Sequence, residues 1–321
     1  MTDIDVVIVN YRSAPHTVNC VRTAHQIARH DGIKVKVIVV NNGDEDKAFE
    51  QTILEAGDVT FVDNAANSGF GAASNQGAAL GAADVILFLN PDATLAPGVL
   101  KTCHKVFTDP ATADIGIVGP TIIDGDGKVV RSCSRTPTLT DLLLRSVGAH
   151  TVFKGTGYPF LSLADHAESR DVGQVMGAAL FIRRSLFTAL DGFDERFFLY
   201  YEDVDLCTRA QSLASRCYYL KIAQVMHIGR ASSSQDTGLA LALHIRSRLI
   251  YTGIHFGRGA QILLAATTVL LELPTRLAQA VIGRGAVGLR GVCKAYRILL
   301  TNSFPEAISR LASRTSHKGI V

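Results

Sequence analysis

Four apolar runs, "IDVVIVN", "VKVIVV", "VTFV" and "DVILFL", lie within the first ninety residues and alternate with helix-like stretches. A strand apolar on both faces needs cover on both faces. Crossover helices supply that cover, so the pattern predicts a parallel sheet with helices on either side. Residues 15–30, residues 44–56 and the small-residue segment "GAASNQGAALGAA" are the expected helices. In such sheets ligands sit beyond the carboxyl ends of the strands. Those ends read "NYRS", "NNGD", "DNAANSGFG" and "NPDA". One polar strand end is ordinary turn chemistry; four in succession suggest one shared polar crevice.

The grammar then changes. "IIDGDGKVV" has the Asp-Gly signals of a hairpin, "VGQVMGAALFIRR" and "CYYLKIAQVMHI" read as strands, and "GFDERFFLYYEDVDLCTRAQ" reads as a turn followed by an acid-opened helix. A parallel half is thus followed by a mixed half, and from about residue 238 the pattern is helical. Charge divides at the same place. Residues 236–321 hold 11 Lys+Arg against 3 Asp+Glu, leaving 21 against 26 for residues 1–235. An acidic body with a basic, apolar tail suggests a catalytic domain joined to something that meets anions. The six cysteines are scattered without metal-ligand spacing, as free thiols of a reducing compartment would be. Acids in "MTDIDVVIVN" argue against a signal peptide, so a cytoplasmic location is expected.

Two constellations can carry chemistry. In "NPDA" the proline ends the ladder, and Asp92 follows it at the strand end. A turn explains that arrangement. So does a carboxylate for Mg²⁺ or Mn²⁺, cations that take one or two carboxylates and fill their remaining sites with phosphate and water. His227, at the end of another expected strand, is a possible second ligand, or simply a packed histidine. In "YYEDVD", acids in a first helical turn suit the helix dipole. Three acids in four residues behind two aromatics exceed what a dipole needs. Asp203, with Glu202 second, is a candidate base for an attacking hydroxyl, kept ionised by helix N-terminal amides. Gly69-Phe70-Gly71-Ala72-Ala73-Ser74 nearly matches a dinucleotide fingerprint, but it follows the third strand and lacks the third glycine.

The ordered set "VVIVNYRS", "VVNNG", "NSGFGAASNQG", "FLNPDA", "GAALFIRR", "GFDERFFLYYEDVDLCTR" and "HIGRASS" resembles the inverting family 2 glycosyltransferases, and within them the bacterial rhamnosyltransferase-like branch. The likeness covers roughly residues 4–235. It implies the GT-A fold, a nucleotide-diphosphate-sugar donor (dTDP-rhamnose favoured, a UDP-sugar the other option) and a divalent metal on the diphosphate. It implies that Val9, Asn10 and Tyr11 frame the nucleobase, with Asn41 where many relatives have Asp. Asn67, Gly69 and Asn75 would line the nucleotide. Asn90 to Asp92 would replace the family's D-x-D motif, leaving the metal on Asp92 and His227. Gly177 and Ala178 would lie beside the donor sugar, Asp203 would be the general base, and Asp194 and Glu195 would be loop or acceptor residues. The expected organisation is a GT-A domain over residues 1–237, with a donor-binding half (1–120) and an acceptor half (121–237), and a helical extension over 238–321.

Within that extension, "GAQILLAATTVLL" carries no charge and is too short to span a bilayer. It reads as a buried helical hairpin or, with its flanking arginines, as a peripheral contact with an anionic membrane that presents a saccharide or polyprenyl-diphosphate-linked acceptor. Arg131 and Arg135 are further candidates for acceptor phosphate. No basic patch with interleaved aromatics points to nucleic acid. The competing functions are a nucleotide-sugar-binding protein without catalysis, an NAD-type oxidoreductase, and a sugar-phosphate nucleotidyltransferase on a related fold, disfavoured because no Gly-rich loop with Arg and Lys follows the first strand of this chain.

Overall fold

A computed structural model describes residues 2–43, 47–146, 161–229, 236–283 and 285–301. Its first seven elements are β1 (Ile4–Asn10), α1 (Ala14–Asp31), β2 (Val35–Asn41), α2 (Lys47–Ala56), β3 (Val59–Asp63), α3 (Phe70–Ala79) and β4 (Val85–Leu89). The expected alternation is therefore present, with residues 44–46 outside the described set. Every residue of β1 and β4 is buried, the reason both read as unbroken apolar runs. Ile4, Val6 and Ile8 enter one apolar layer with α1 and α2, while Val7 and Val9 enter the opposite layer. The small residues of α3 let it lie close to the sheet: a Cβ on Gly77 would fall 2.6 Å from Val7 Cγ1 and 3.2 Å from Val40 Cγ2.

The chain continues through β5 (Ala93–Leu95), α4 (Val99–Thr108), β6 (Ile115–Ile123), β7 (Cys133–Ser134), α5 (Leu139–Ser146), β8 (Arg170–Val172), β9 (Gln174–Val175), β10 (Ala179–Arg183), α6 (Arg184–Ala189), α7 (Glu202–Ser212) and β11 (Arg216–His227). Among the described residues one sheet has nine strands, ordered β3-β2-β1-β4-β10-β6-β11-β5, with β8 on β11. β3, β2, β1 and β4 are parallel, and the remainder is mixed. This is the GT-A arrangement, a parallel half followed by a mixed half.

One expected strand needs correction. "VGQVMGAALFIRR" is not one strand but β9 and β10 separated by Met176–Gly177–Ala178, whose backbone groups are used elsewhere, as described below. The hairpin expected at 122–130 is present in short form: a turn over Asp124–Gly127, the antiparallel bridge of Ile123 with Val129, and the Asp124 N–H to Lys128 and Val130 N–H to Ile122 carbonyl bonds. The chain then leaves toward β7, which pairs with β9 in a separate two-stranded sheet.

The chain forms two compact units. The sheet and its helices make the first. The second comprises residues 137–146, the segment Arg196–Tyr201 and the helices beyond residue 236: α8 (Thr237–Thr267), a π turn (Thr268–Glu272), α9 (Leu273–Gly283) and α10 (Gly285–Thr301). The second unit has its own core, built on Leu239, Leu243, Ile245, Ala280, Tyr296 and Ile298. Gly257 breaks α8 with φ 85° and ψ 168°. Residues 259–271 are not a buried hairpin, since Leu264 is buried while Ile262, Leu263, Leu270 and Leu271 are exposed.

Candidate active site

Strand register brings the polar ends together. Asn10, Asn41 and Asp63 stand side by side at the ends of β1, β2 and β3. Asn10 Nδ2 donates to Asn41 Oδ1 at 2.9 Å, and Asn41 Nδ2 donates to Asp63 Oδ1 at 2.7 Å. Asn10 Oδ1 accepts from the Ser13 and Thr17 hydroxyls. The buried Asn10 and Asn41 side chains thus fix the loop geometry, and Val9 is part of the core. Half-buried Tyr11 follows, with the Arg12 guanidinium 5.2 Å from its ring centre. Asn42 is a second hub: its amide donates to Asn67 Oδ1 and to the Gly69 carbonyl, and its Oδ1 accepts from Ser68 and Asn64. Gly69 opens α3 at φ 92°, a conformation that costs a side-chain-bearing residue. Asn75 faces another way. Its amide bridges both backbone polar groups of Phe193 (2.8 and 2.9 Å) and Glu195 Oε1 (3.1 Å), latching the "GFDE" loop that carries Asp194.

A turn after β4 returns the Ala93 N–H to the Asn90 carbonyl at 3.1 Å, and β5 then pairs with β11, setting His227 opposite Ala93. β11 reaches that place by an irregularity between Leu220 and Gln224 that shifts its register against β6, the kind of bend that re-aims a strand end. His227 Nε2 lies 3.0 Å from Asp92 Oδ1 and 3.2 Å from Asn90 Nδ2. One carboxylate oxygen and one imidazole nitrogen, both largely buried and aimed at each other, are a donor pair that a small divalent cation can share. Among the described residues no group of three His, Cys, Asp or Glu side chains could hold a metal. A cation held by this pair would draw its other ligands from a diphosphate and water.

The three acids of α7 separate by environment. Asp205 is fully buried and pairs with Arg209 at 2.7 Å, one turn on, and Arg209 also donates to the Leu190 and Gly192 carbonyls. That acid is structural. Asp203 Oδ2 accepts from the Gly177 N–H at 2.9 Å and from Gln174 Nε2 at 3.1 Å, and its Oδ1 accepts from the Val204 N–H. Burial nevertheless lifts its carboxyl above the usual range, against the pull of these bonds, so the helix amides do not by themselves decide its charge. Glu202 is buried, its Oε2 has no hydrogen-bond partner among the described residues, and burial followed by the nearby Asp203 charge pushes its carboxyl up to about 8. Two adjacent carboxyls cannot both ionise cheaply. Burial raises both carboxyls of the pair, and the charge of Asp203 adds to the rise at Glu202. Tyr200 and Tyr201, which precede the helix, both adopt left-handed backbone at φ 69°, a strain that non-glycine residues carry mainly at functional positions.

One short link joins the two constellations. Ala178 accepts from the Asn90 N–H at 2.9 Å while its neighbour Gly177 donates to Asp203. The segment that interrupts the expected strand thus spans from the Asp92 turn to the acid on α7. Sequence reasoning missed Gln174 and Asn42. Gln174 lies inside a strand signal, and Asn42 was read as loop chemistry.

Residues 2–252 match the family described as Glycosyltransferase like family 2. The chain belongs to that family. An N-acetylglucosaminyl-diphospho-decaprenol L-rhamnosyltransferase of Mycobacterium tuberculosis is 30% identical over 270 residues, covering 78% of this chain and 84% of that protein. A low-salt glycan biosynthesis hexosyltransferase of Haloferax volcanii is 22% identical over 263 residues, covering 80% and 78%. The fold is shared with a mannosyltransferase from Pyrobaculum calidifontis solved with GDP-Man and Mn²⁺, with a TM-score of 0.52, 14% identity, and coverage of 94% of this chain and 90% of that one. This family 2 member is a glycosyltransferase, and the oxidoreductase reading is set aside.

Proposed function

We propose that this family 2 transferase moves rhamnose from dTDP-rhamnose, with a UDP-sugar as the second donor to test, onto a polyprenyl-diphosphate-linked saccharide. The reaction belongs to cell-surface polysaccharide or glycolipid assembly at the cytoplasmic face of a membrane. The names of the relatives support the sugar and the acceptor class. The observation that supports the chemistry is the Gly177–Ala178 link, because it ties the Asp203 carboxyl and the Asp92–His227 pair to the two ends of one short segment.

In this reading Asn10, Tyr11, Asn41, Asn67, Gly69 and Asn90 shape the nucleotide site, and Gly177 and Ala178 leave room beside the sugar. Asp194 and Glu195, on the loop latched by Asn75, face the acceptor. Asp203 takes the proton of the acceptor hydroxyl as its oxygen attacks the anomeric carbon. The new C–O bond forms opposite the breaking C–O bond to diphosphate, the nucleoside diphosphate leaves with that electron pair, and configuration inverts. Mg²⁺ or Mn²⁺ held at Asp92 and His227 would stabilise charge on the departing phosphates. The fold neighbour solved with Mn²⁺ supports a metal of this kind.

Incubating the chain with a panel of nucleotide sugars and a polyprenyl-diphosphate acceptor, with metal or with chelator, tests the proposal. Metal-dependent transfer from dTDP-rhamnose with an inverted anomeric centre is expected. Transfer that survives both chelation and Asp203→Asn would refute it.

A further inference from the structure

Residues 258–283 form the second part of α8, the π turn and α9. At successive four-residue steps Ile262, Ala266, Leu270, Pro274, Ala278 and Ile282 are all exposed and all apolar. Between them Leu264, Thr268, Glu272 and Ala280 are buried and Arg276 is half-buried. A water-facing helix has the opposite distribution. Here Leu270 is 69% exposed and Ile282 is 87% exposed. The charges lie inside, where Arg248 pairs with Glu272, Arg248 also reaches the Thr268 hydroxyl, and Arg276 joins Glu272 from one turn on. A continuous exposed apolar band of this length marks a contact surface.

Charge identifies what covers it. Residues 237–301 contain eight Lys+Arg and one acid. That acid, Glu272, is buried and already paired with two arginines. Arg258, Arg290 and Arg297 are exposed. A second copy would set cations against cations with no exposed acid in this stretch to answer them. An anionic lipid surface satisfies both the apolar band and Arg258, which is exposed one four-residue step before Ile262. Thr237–Ile282 is long and apolar enough by composition to cross a bilayer. Gly257 breaks that length, however, and the inner face holds an ion pair and packs against α10, which leaves one side for lipid.

We infer that this band lies in the interface of an anionic membrane leaflet, with the helix axis in its plane. The inference deepens the lipid-linked-acceptor reading and rests on it for its purpose, whereas the measurement below does not depend on it. Flotation of the full chain with phosphatidylcholine vesicles, with and without phosphatidylglycerol, is the test. Binding to the mixed vesicles is expected, weakened by salt and lowered roughly tenfold or more by Leu270→Glu with Ile282→Glu. Both changes are at exposed positions, so the circular dichroism spectrum should match the wild type. Should that variant misfold, Arg258→Gln should reduce the preference for the anionic vesicles. Absence of wild-type flotation, equal flotation of the glutamate variant, or a wild-type dimer that this variant dissociates would overturn the inference. Transfer to a water-soluble acceptor in the same preparations separates the two readings. Wild-type protein that transfers but does not float sinks the surface alone, and wild-type protein that floats but does not transfer sinks the reaction alone.

Discussion

Glu202→Gln should make stability less sensitive to pH, and the size of the effect follows from where Glu202 sits. The folded chain holds the Glu202 proton up to about 8, against an ordinary value of 4.5, because the carboxyl is buried beside Asp203. An unfolded chain releases that proton near its ordinary value. Between those two values the unfolded state binds fewer protons, so stability falls as pH rises through the window and levels off above it. At ~1.36 kcal/mol for each tenfold change, the penalty is about 1 kcal/mol at pH 5, about 3 at pH 7 and just under ~5 at pH 9. Glutamine keeps the shape of the neutral acid and cannot ionise. The stability difference between variant and wild type should therefore shift in the variant's favour by ~3–4 kcal/mol from pH 5 to pH 9. Urea unfolding followed by circular dichroism measures it, a suitable probe because the chain has no tryptophan. A difference that stays constant across this range would show that Glu202 ionises normally despite its burial.

Asp203→Asn should lower kcat about 10²–10⁴-fold with donor binding retained, as titration calorimetry with the nucleotide sugar would show. Burial of Asp203 raises its carboxyl, so activity should rise with pH through a limb above the ordinary aspartate range, read from kcat against pH. Asp92→Asn or His227→Ala should raise the Mn²⁺ concentration needed for half-maximal transfer by roughly 100-fold or more, with little change in the melting temperature. Gly77→Ala should cost ~1–3 kcal/mol in denaturant titration, because its new methyl group would meet Val7 and Val40 at 2.6 and 3.2 Å.

The sheet was legible because fully buried strands leave no polar residues inside their runs, and β1 and β4 are buried at every position. The strand-end constellation was legible for a related reason: parallel topology brings such ends together whatever their separation in sequence. What escaped the sequence were the bonds that interrupt regular structure. "VGQVMGAALFIRR" looks continuous, yet Gly177 and Ala178 give their backbone groups to Asp203 and Asn90 instead of a neighbouring strand. The sequence ranked Asp203 and Glu202 ahead of Asp205 but did not show the Arg209 pairing of Asp205 or the burial that raises the Glu202 carboxyl. Asn75 was read with the nucleotide because it lies in the same motif as Asn67, but helical phase turns it toward Phe193 and Glu195.

A single peptide unit separates the amide that grips the acid on α7 from the carbonyl that grips the Asp92 turn. Neighbouring Cα atoms of a trans peptide stand about 3.8 Å apart, and no side-chain replacement alters that gauge. Substitutions around this segment can reshape the walls of the crevice, while the two backbone anchors remain on neighbouring residues of one chain.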